Sequence, residues 1–238
     1  AKPEQKETTP EETAPTEPVA EEPAIEGPVF PEGTFTEEVV SNDTQYTDSN
    51  ISIHMSQYYE YDTVIYVADV YVRDVTYLQT ALAKNTYGRN IVQTTSKMAS
   101  DHNAIFAVNG DYYGAQEKGY VLRNGVVLRT SSANASKQDL AIMSDGNFKI
   151  FKEGESDPDT LLTEGALQIL SFGPGLVKDG VISVGVDEEV PTALSSNPRT
   201  AIGEISPCHY VFVVGDGRTE ESAGLSLYEL AEFMTGLG

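Results

Sequence analysis

Asn124-Gly125, Asp145-Gly146 and Asp179-Gly180 each interrupt a run rich in apolar and β-branched residues, and these dipeptides constrain the fold more than any other feature of the chain. Both central residues of a tight type I′ hairpin turn need positive φ. Gly adopts that conformation freely and Asn or Asp at low cost, so each dipeptide marks a reversal between antiparallel strands. Residues 120–129, 140–151 and 175–184 are therefore expected as hairpins. Residues 63–73 carry apolar side chains on both faces, Val64, Tyr66, Ala68, Val70 and Val72 against Ile65, Val67 and Tyr71, which predicts a central strand. A strand beginning near Ile51 precedes it. Residues 201–205 and 210–214 read as another pair, and Ala104 to Val108 as a short, wholly apolar strand.

Helix signals are fewer. Asp74 is expected to cap a short helix carrying Leu78, Ala81 and Leu82, and Thr94 or Thr95 a second one running to about His102. Ser226 can cap a last helix with Leu227, Leu230, Ala231 and Met234 on one face, stopped by Gly236. The class is α+β: a mixed, largely antiparallel sheet with several hairpins and a few short helices.

The first part of the chain is excluded from that core. Residues 1–38 hold eleven acids and two lysines amid Pro, Thr and Ala, and the stretch to about Glu26 lacks aromatic residues and apolar periodicity. Such a segment cannot bury enough surface to offset an ordering entropy of roughly 1 to 2 kcal/mol per residue, so it reads as an extended acidic tether. Residues 39–238 remain as one domain. A tether of this kind points to an exported protein, secreted or held at the cell surface through a removed N-terminal segment, and no run of about 18 apolar residues spans a membrane. Net charge is −22, and none of the nine lysines clusters, which excludes nucleic acid as a partner. Cys208 is expected as a buried apolar residue. His54, His102 and His209 lack metal-ligand spacing; no metal or cofactor is expected, and acidic loops such as Asp187-Glu188-Glu189 read as solvated surface.

Chemistry is carried elsewhere. Asn197-Pro198-Arg199-Thr200 and Asp216-Gly217-Arg218 place two of the six arginines at strand ends, where a guanidinium fork suits phosphate or carboxylate oxygens. Structural ion pairs with an acidic loop are the competing explanation. Asn109-Gly110-Asp111 could face a ligand cleft or form an ordinary turn, and Tyr112-Tyr113 beside it would offer a sugar ring a stacking surface.

In order, residues 109–114, Arg123-Asn124-Gly125, Ser171-Phe172-Gly173-Pro174, residues 197–203, residues 216–218 and residues 222–230 resemble the phosphodiester glycosidase family over about residues 51–238. The resemblance implies hydrolysis of a sugar-1-phosphodiester of the N-acetylglucosamine-1-phosphodiester type, in bacterial cell-surface glycan or exopolysaccharide metabolism. It implies catalytic roles for Asp111, Asp216 and Arg199, and substrate contacts from Asn109, Gly110, Tyr112, Arg123, Thr200 and Arg218. Arg199 and Arg218 would clamp the phosphate, and Asp111 or Asp216 would activate water or stabilise an oxocarbenium-like centre. Similar proteins follow the last helix with a strand and a glycine-rich segment; this sequence stops at Gly238, so the expected sheet lacks that C-terminal strand. The alternative is a noncatalytic surface module that binds anionic glycan through the same residues.

Overall fold

The computed structural model describes residues 28–190 and 196–238. One sheet has six strands in the order β1-β2-β3-β4-β13-β12: β1 (Val40–Ser41), β2 (Gln45–Thr47), β3 (Ile51–Glu60), β4 (Thr63–Val72), β12 (Arg199–Ser206) and β13 (His209–Gly215). All its pairings are antiparallel, and β4 is central as expected. The second sheet runs β6-β5-β9-β7-β8, from β5 (Val121–Arg123), β6 (Val126–Arg129), β7 (Gln138–Met143), β8 (Phe148–Lys152) and β9 (Ala166–Leu170). A small hairpin joins β10 (Val177–Lys178) and β11 (Val181–Ile182).

Alternation along the strands sorts side chains into three layers. Ala68, Val70 and Val72 of β4, with Tyr210 and Phe212 of β13, meet Ile142 and Leu140 of β7 between the sheets. The opposite face of β4, Ile65 and Val67, packs with Val213 against Leu230 and Phe233 of helix α3 (Leu227–Thr235). On the far side of the second sheet, Leu122, Ala141 and Ile169 pack on Leu161 of helix α2 (Pro158–Thr163). A third helix, α1 (Thr95–Asp101), is capped by Thr94 and ends at His102. Cys208 is buried as expected. Phe30 and Phe35 meet edge-on and lie over the Arg73 guanidinium, so residues from the expected tether pack on the fold before Val39.

Several local expectations need correction. Asn124-Gly125 and Asp179-Gly180 take positive φ at both positions, but at the third hairpin only Gly146 does. There the Gly146 N–H bonds Met143 O at 3.0 Å and the Met143 N–H bonds Asn147 O at 2.9 Å, a longer loop in which a single glycine makes the left-handed step. Asp74 caps only a 3-10 turn, Val75–Tyr77. Leu78 to Leu82 stay outside it because Asn124 bonds both backbone groups of Thr80 and draws that segment onto the β5–β6 turn. Ala104 to Val108 form no strand: Phe106 and Val108 lean on the inter-sheet core, Phe106 edge-on to Phe212 at 5.3 Å, while Ile105 faces solvent. Side-chain packing holds this segment without a ladder.

Helix α3 is the element that steadies the site. Ser226 accepts from the Glu229 N–H at 3.1 Å, and the Glu229 carboxylate accepts from the Ser226 N–H at 2.8 Å, a reciprocal cap. Ser226→Ala is expected to cost about 1 kcal/mol, read as a lower urea midpoint at unchanged slope.

Candidate functional site

The site begins where β12 starts and β13 ends, because Arg199 and Gly215 are directly paired. The loop from Asp216 to Leu225 is clamped onto the β3–β4 turn. The Asp216 N–H bonds Val64 O at 2.9 Å, the Ala223 N–H bonds Asp62 O at 2.8 Å, and Thr63 Oγ1 both donates to Gly224 O and accepts from the Gly224 N–H. Its other side packs backbone to backbone on Asn197 and Pro198, with reciprocal Asn197–Leu225 bonds of 3.2 and 2.9 Å. Gly215 makes room for Leu225, whose Cδ1 would lie 2.8 Å from an added Cβ.

Two guanidiniums bracket that Asn197–Leu225 bridge. Arg199 donates from Nε to Leu225 O at 2.9 Å and from Nη2 to Glu189 Oε2 at 2.6 Å, and Glu189 Oε1 accepts from the Leu227 N–H. Arg218 donates from Nη2 to Asn197 Oδ1, and its backbone sits at φ 64°. Asp216 is exposed; its Oδ1 accepts from the Gly217 N–H and its Oδ2 has no partner among the described residues. Glu189 corrects the solvated-loop expectation: it is a nearly buried counter-ion of Arg199. The Arg199 side chain is thus neutralised and aimed, with Nη1 the donor not taken by Glu189 or Leu225.

Thr200 points to the opposite face of β12 and donates to Asn109 Oδ1 at 2.7 Å, which ties the segment after Val108 to the edge strand. Asp111 follows two residues on, so its Cα lies within about 7 Å of that of Asn109. Asp111 is a locked carboxylate, its side chain 2% exposed. Oδ1 accepts from Arg123 Nη2 at 2.6 Å and Oδ2 from the Ser171 N–H at 2.8 Å. Arg123 in turn bonds the carbonyls of Leu122 and Ile169 and stacks its guanidinium on Tyr113, 5.5 Å from the ring centre. The sequence reading brought Asp111 and Arg123 into one site as separate actors; the structure joins them as one buried pair. Beside them Tyr112 and Phe172, both about half exposed, meet edge-on at 4.9 Å. Gly110 has open space where a Cβ would stand.

Two shallow clefts elsewhere, one lined by Tyr58, Tyr61 and Phe233 and one by Leu78, Asn124 and Leu167, contain none of the expected site residues. Among the described residues no three His, Cys, Asp or Glu side chains gather as a metal-binding group.

The sequence model of the phosphodiester glycosidase family matches residues 102–238, more than half of the chain. The chain belongs to the phosphodiester glycosidase family. The matched span holds every residue named in the two clusters, apart from the β3–β4 turn that clamps the 216–225 loop. A relative within reach by sequence is the SPbeta prophage-derived uncharacterized protein YomE of Bacillus subtilis (strain 168), 26% identical over 148 residues, which is 60% of this chain and 23% of the relative. The chain therefore spans under a quarter of that relative's length. Among solved structures, a hypothetical protein from Synechocystis superposes with a TM-score of 0.58 at 12% identity over 80% of this chain and 55% of that one, a likeness of fold. The zebrafish N-acetylglucosamine-1-phosphodiester alpha-N-acetylglucosaminidase catalytic domain, auto-inhibited by its pro-peptide, gives a TM-score of 0.49 at 16% identity, covering 79% of this chain and 67% of that one.

Three neighbours of the candidate residues, Glu189, Ser171 and Phe172, are not marked as contacts by their residue types. Glu189 sits in an acidic run that resembles solvated surface, and only the tertiary fold shows its arginine. Ser171 and Phe172 stand in the family's Ser-Phe-Gly-Pro pattern, which flagged them as a motif without assigning either a contact.

Proposed function

We propose that this phosphodiester glycosidase domain hydrolyses a sugar-1-phosphodiester of the N-acetylglucosamine-1-phosphodiester type, in cell-surface glycan or exopolysaccharide, as an extracellular or surface-tethered protein. The observation that carries the reading is the gathering of Arg199, Arg218 and Asp216 at one end of the β12–β13 pair. Two arginines with N–H donors not engaged among the described residues suit the two non-bridging oxygens of a phosphodiester, and Asp216, next in the chain to the Gly215 paired with Arg199, has a carboxylate oxygen with no partner among those residues.

In the proposed reaction a water oxygen bonds to the anomeric carbon as the bond from that carbon to the phosphate oxygen breaks. The electron pair leaves with the phosphate monoester, whose charge Arg199 and Arg218 stabilise, and the water's proton passes to Asp216. Asp111 is unsuited to that step, since both its oxygens are engaged; it serves to hold Arg123 and the turn bearing Tyr112. Tyr112 and Phe172 offer apolar faces to a sugar ring, and Asn109 with Thr200 offers hydroxyl and amide partners to its rim.

The test is turnover of a chromogenic sugar-1-phosphodiester. Asp216→Asn is expected to lower kcat by about 10²–10⁴, the range of a lost general base. Substrate bound but not turned over, with binding weakened by salt and by Arg199→Ala, would instead favour a noncatalytic module for anionic glycan.

A further inference from the structure

Ser171, which holds Asp111, also touches a second polar cluster, whose two acids are fully buried and whose lysine is partly exposed. Asp139 on β7 and Glu153 just after β8 have fully buried side chains and share one cation, Lys137, whose Nζ is 3.6 Å from Asp139 Oδ1 and 3.5 Å from Glu153 Oε1. Among the described residues neither of those oxygens has a hydrogen-bond partner, nor does Arg129 Nη2. Gly119 leaves a gap among them, for a Cβ there would stand 3.2 Å from Lys137 Nζ, 3.6 Å from Ser171 Oγ and 3.7 Å from Arg129 Nη2.

The hydrogen-bond bookkeeping separates the two acids. Glu153 Oε2 accepts from Ser132 Oγ at 2.7 Å, the Ala133 N–H at 2.5 Å and the Asn134 N–H at 3.2 Å, an environment made for a charged carboxylate. Asp139 has no such donors. Its Oδ2 lies 2.8 Å from Ser171 Oγ, and Ser171 Oγ lies 2.8 Å from Tyr120 O. A serine hydroxyl has a single proton, and a backbone carbonyl can only accept. Were Asp139 ionised, Ser171 would face two acceptors with one proton, and one 2.8 Å contact would hold no hydrogen.

We infer that in the folded protein at mildly acidic pH Asp139 is a neutral carboxylic acid, donating its proton from Oδ2 to Ser171 Oγ, which donates onward to Tyr120 O. The assignment gives both contacts a hydrogen, leaves Glu153 as the partner of Lys137, and reduces the orphaned Asp139 Oδ1 to a carbonyl oxygen. Burial is the largest influence on Asp139 and outweighs the opposing pull of Lys137 and Ser171; Glu153 adds repulsion, and the carboxyl is pushed up to about 6 from 3.8, while Tyr120 presents a carbonyl and Arg129 is held by the carbonyls of Gly119, Tyr113 and Gln116. Ser171 is also the residue whose N–H holds Asp111, so the proton on Asp139 secures the floor beneath the Asp111–Arg123 pair.

A folded-state value raised above the unfolded one means that the folded state binds the proton more tightly. Stability from this group is full below about pH 4, falls as pH rises toward about 6, and is level above. In the intact chain, carboxyl-carbon NMR should show Asp139 still protonated near pH 5, where ordinary aspartates are ionised; an ionised Asp139 at that pH overturns the inference. Asn keeps a donor toward Ser171 without a titrating proton. The unfolding constant of Asp139→Asn relative to the native chain should therefore drop by about a hundredfold between pH 4 and pH 7, a shift of about two pH units. A ratio unchanged with pH contradicts it. Neither readout involves turnover, so the inference stands or falls apart from the proposed hydrolysis.

Discussion

Gly224→Ala is expected to destabilise the protein by about 3 kcal/mol or more, the sum of a left-handed backbone forced on a Cβ and an overpacked contact that cannot yield. Gly224 sits at φ 101°, and an added Cβ would stand 2.6 Å from Asn197 C and 2.7 Å from its N and O, all backbone atoms. The obstruction has nowhere to go, because Asn197 is bonded to Leu225 on one side and carries the Arg218 contact on its amide. Gly180 is the control: its φ is 72° but no atom lies within 4 Å of its missing Cβ, so Gly180→Ala should cost only the conformational part, about 1 kcal/mol. Urea midpoints of the two variants make the comparison. Equal losses would mean that the 216–225 loop can slide off Asn197, and that Arg199 and Arg218 are not fixed by it.

Arg123→Ala is expected to cost about 3–5 kcal/mol, because it strands the Asp111 carboxylate in a place where water does not reach. The two side chains are 7% and 2% exposed, so solvent screening does little to relieve the remaining charge. The carbonyls of Leu122 and Ile169 lose their donor as well, at the strand where β5 and β9 have a single paired residue, Leu122 with Ile169. Removing both partners should cost less than the two single changes together, since neither charge is then left alone. Denaturant unfolding of the four proteins in the cycle reads this directly; additive losses would show that Asp111 and Arg123 are not a pair in solution.

Much of the fold could be read from local chemistry. The Asn124-Gly125 and Asp179-Gly180 turns, the central position of β4 and the Ser226 cap follow from side-chain type and spacing. The β3–β4 turn did not announce itself, because Tyr61 and Asp62 take φ of 53° and 51° without a glycine. Long-range clamping by Thr63, Ser222 and Ala223 holds them there. Ala104 to Val108 departs from the expected strand for the opposite reason: an apolar run has strand propensity, but a strand needs a neighbour, and no ladder partner reaches it among the described residues. At the site, residue types pointed to Arg199, Arg218 and Asp111 but not to what each would meet. Ser171 meets Asp111 across sixty residues of chain and Glu189 meets Arg199 across ten, and both contacts are decided by how loops pack on the sheets, which residue type does not reveal. Both Asp111 oxygens are engaged, by Arg123 and Ser171, whereas Asp216 keeps one oxygen without a partner among the described residues.

In the proposed hydrolysis the carbon–oxygen bond at the sugar, not the phosphorus–oxygen bond, is broken. Hydrolysis of a sugar-1-phosphodiester in heavy-oxygen water, followed by mass spectrometry of both products, tests it. The label is expected in the freed sugar, with an unlabelled phosphate monoester; label in the phosphate would mean that the phosphorus–oxygen bond is the one broken.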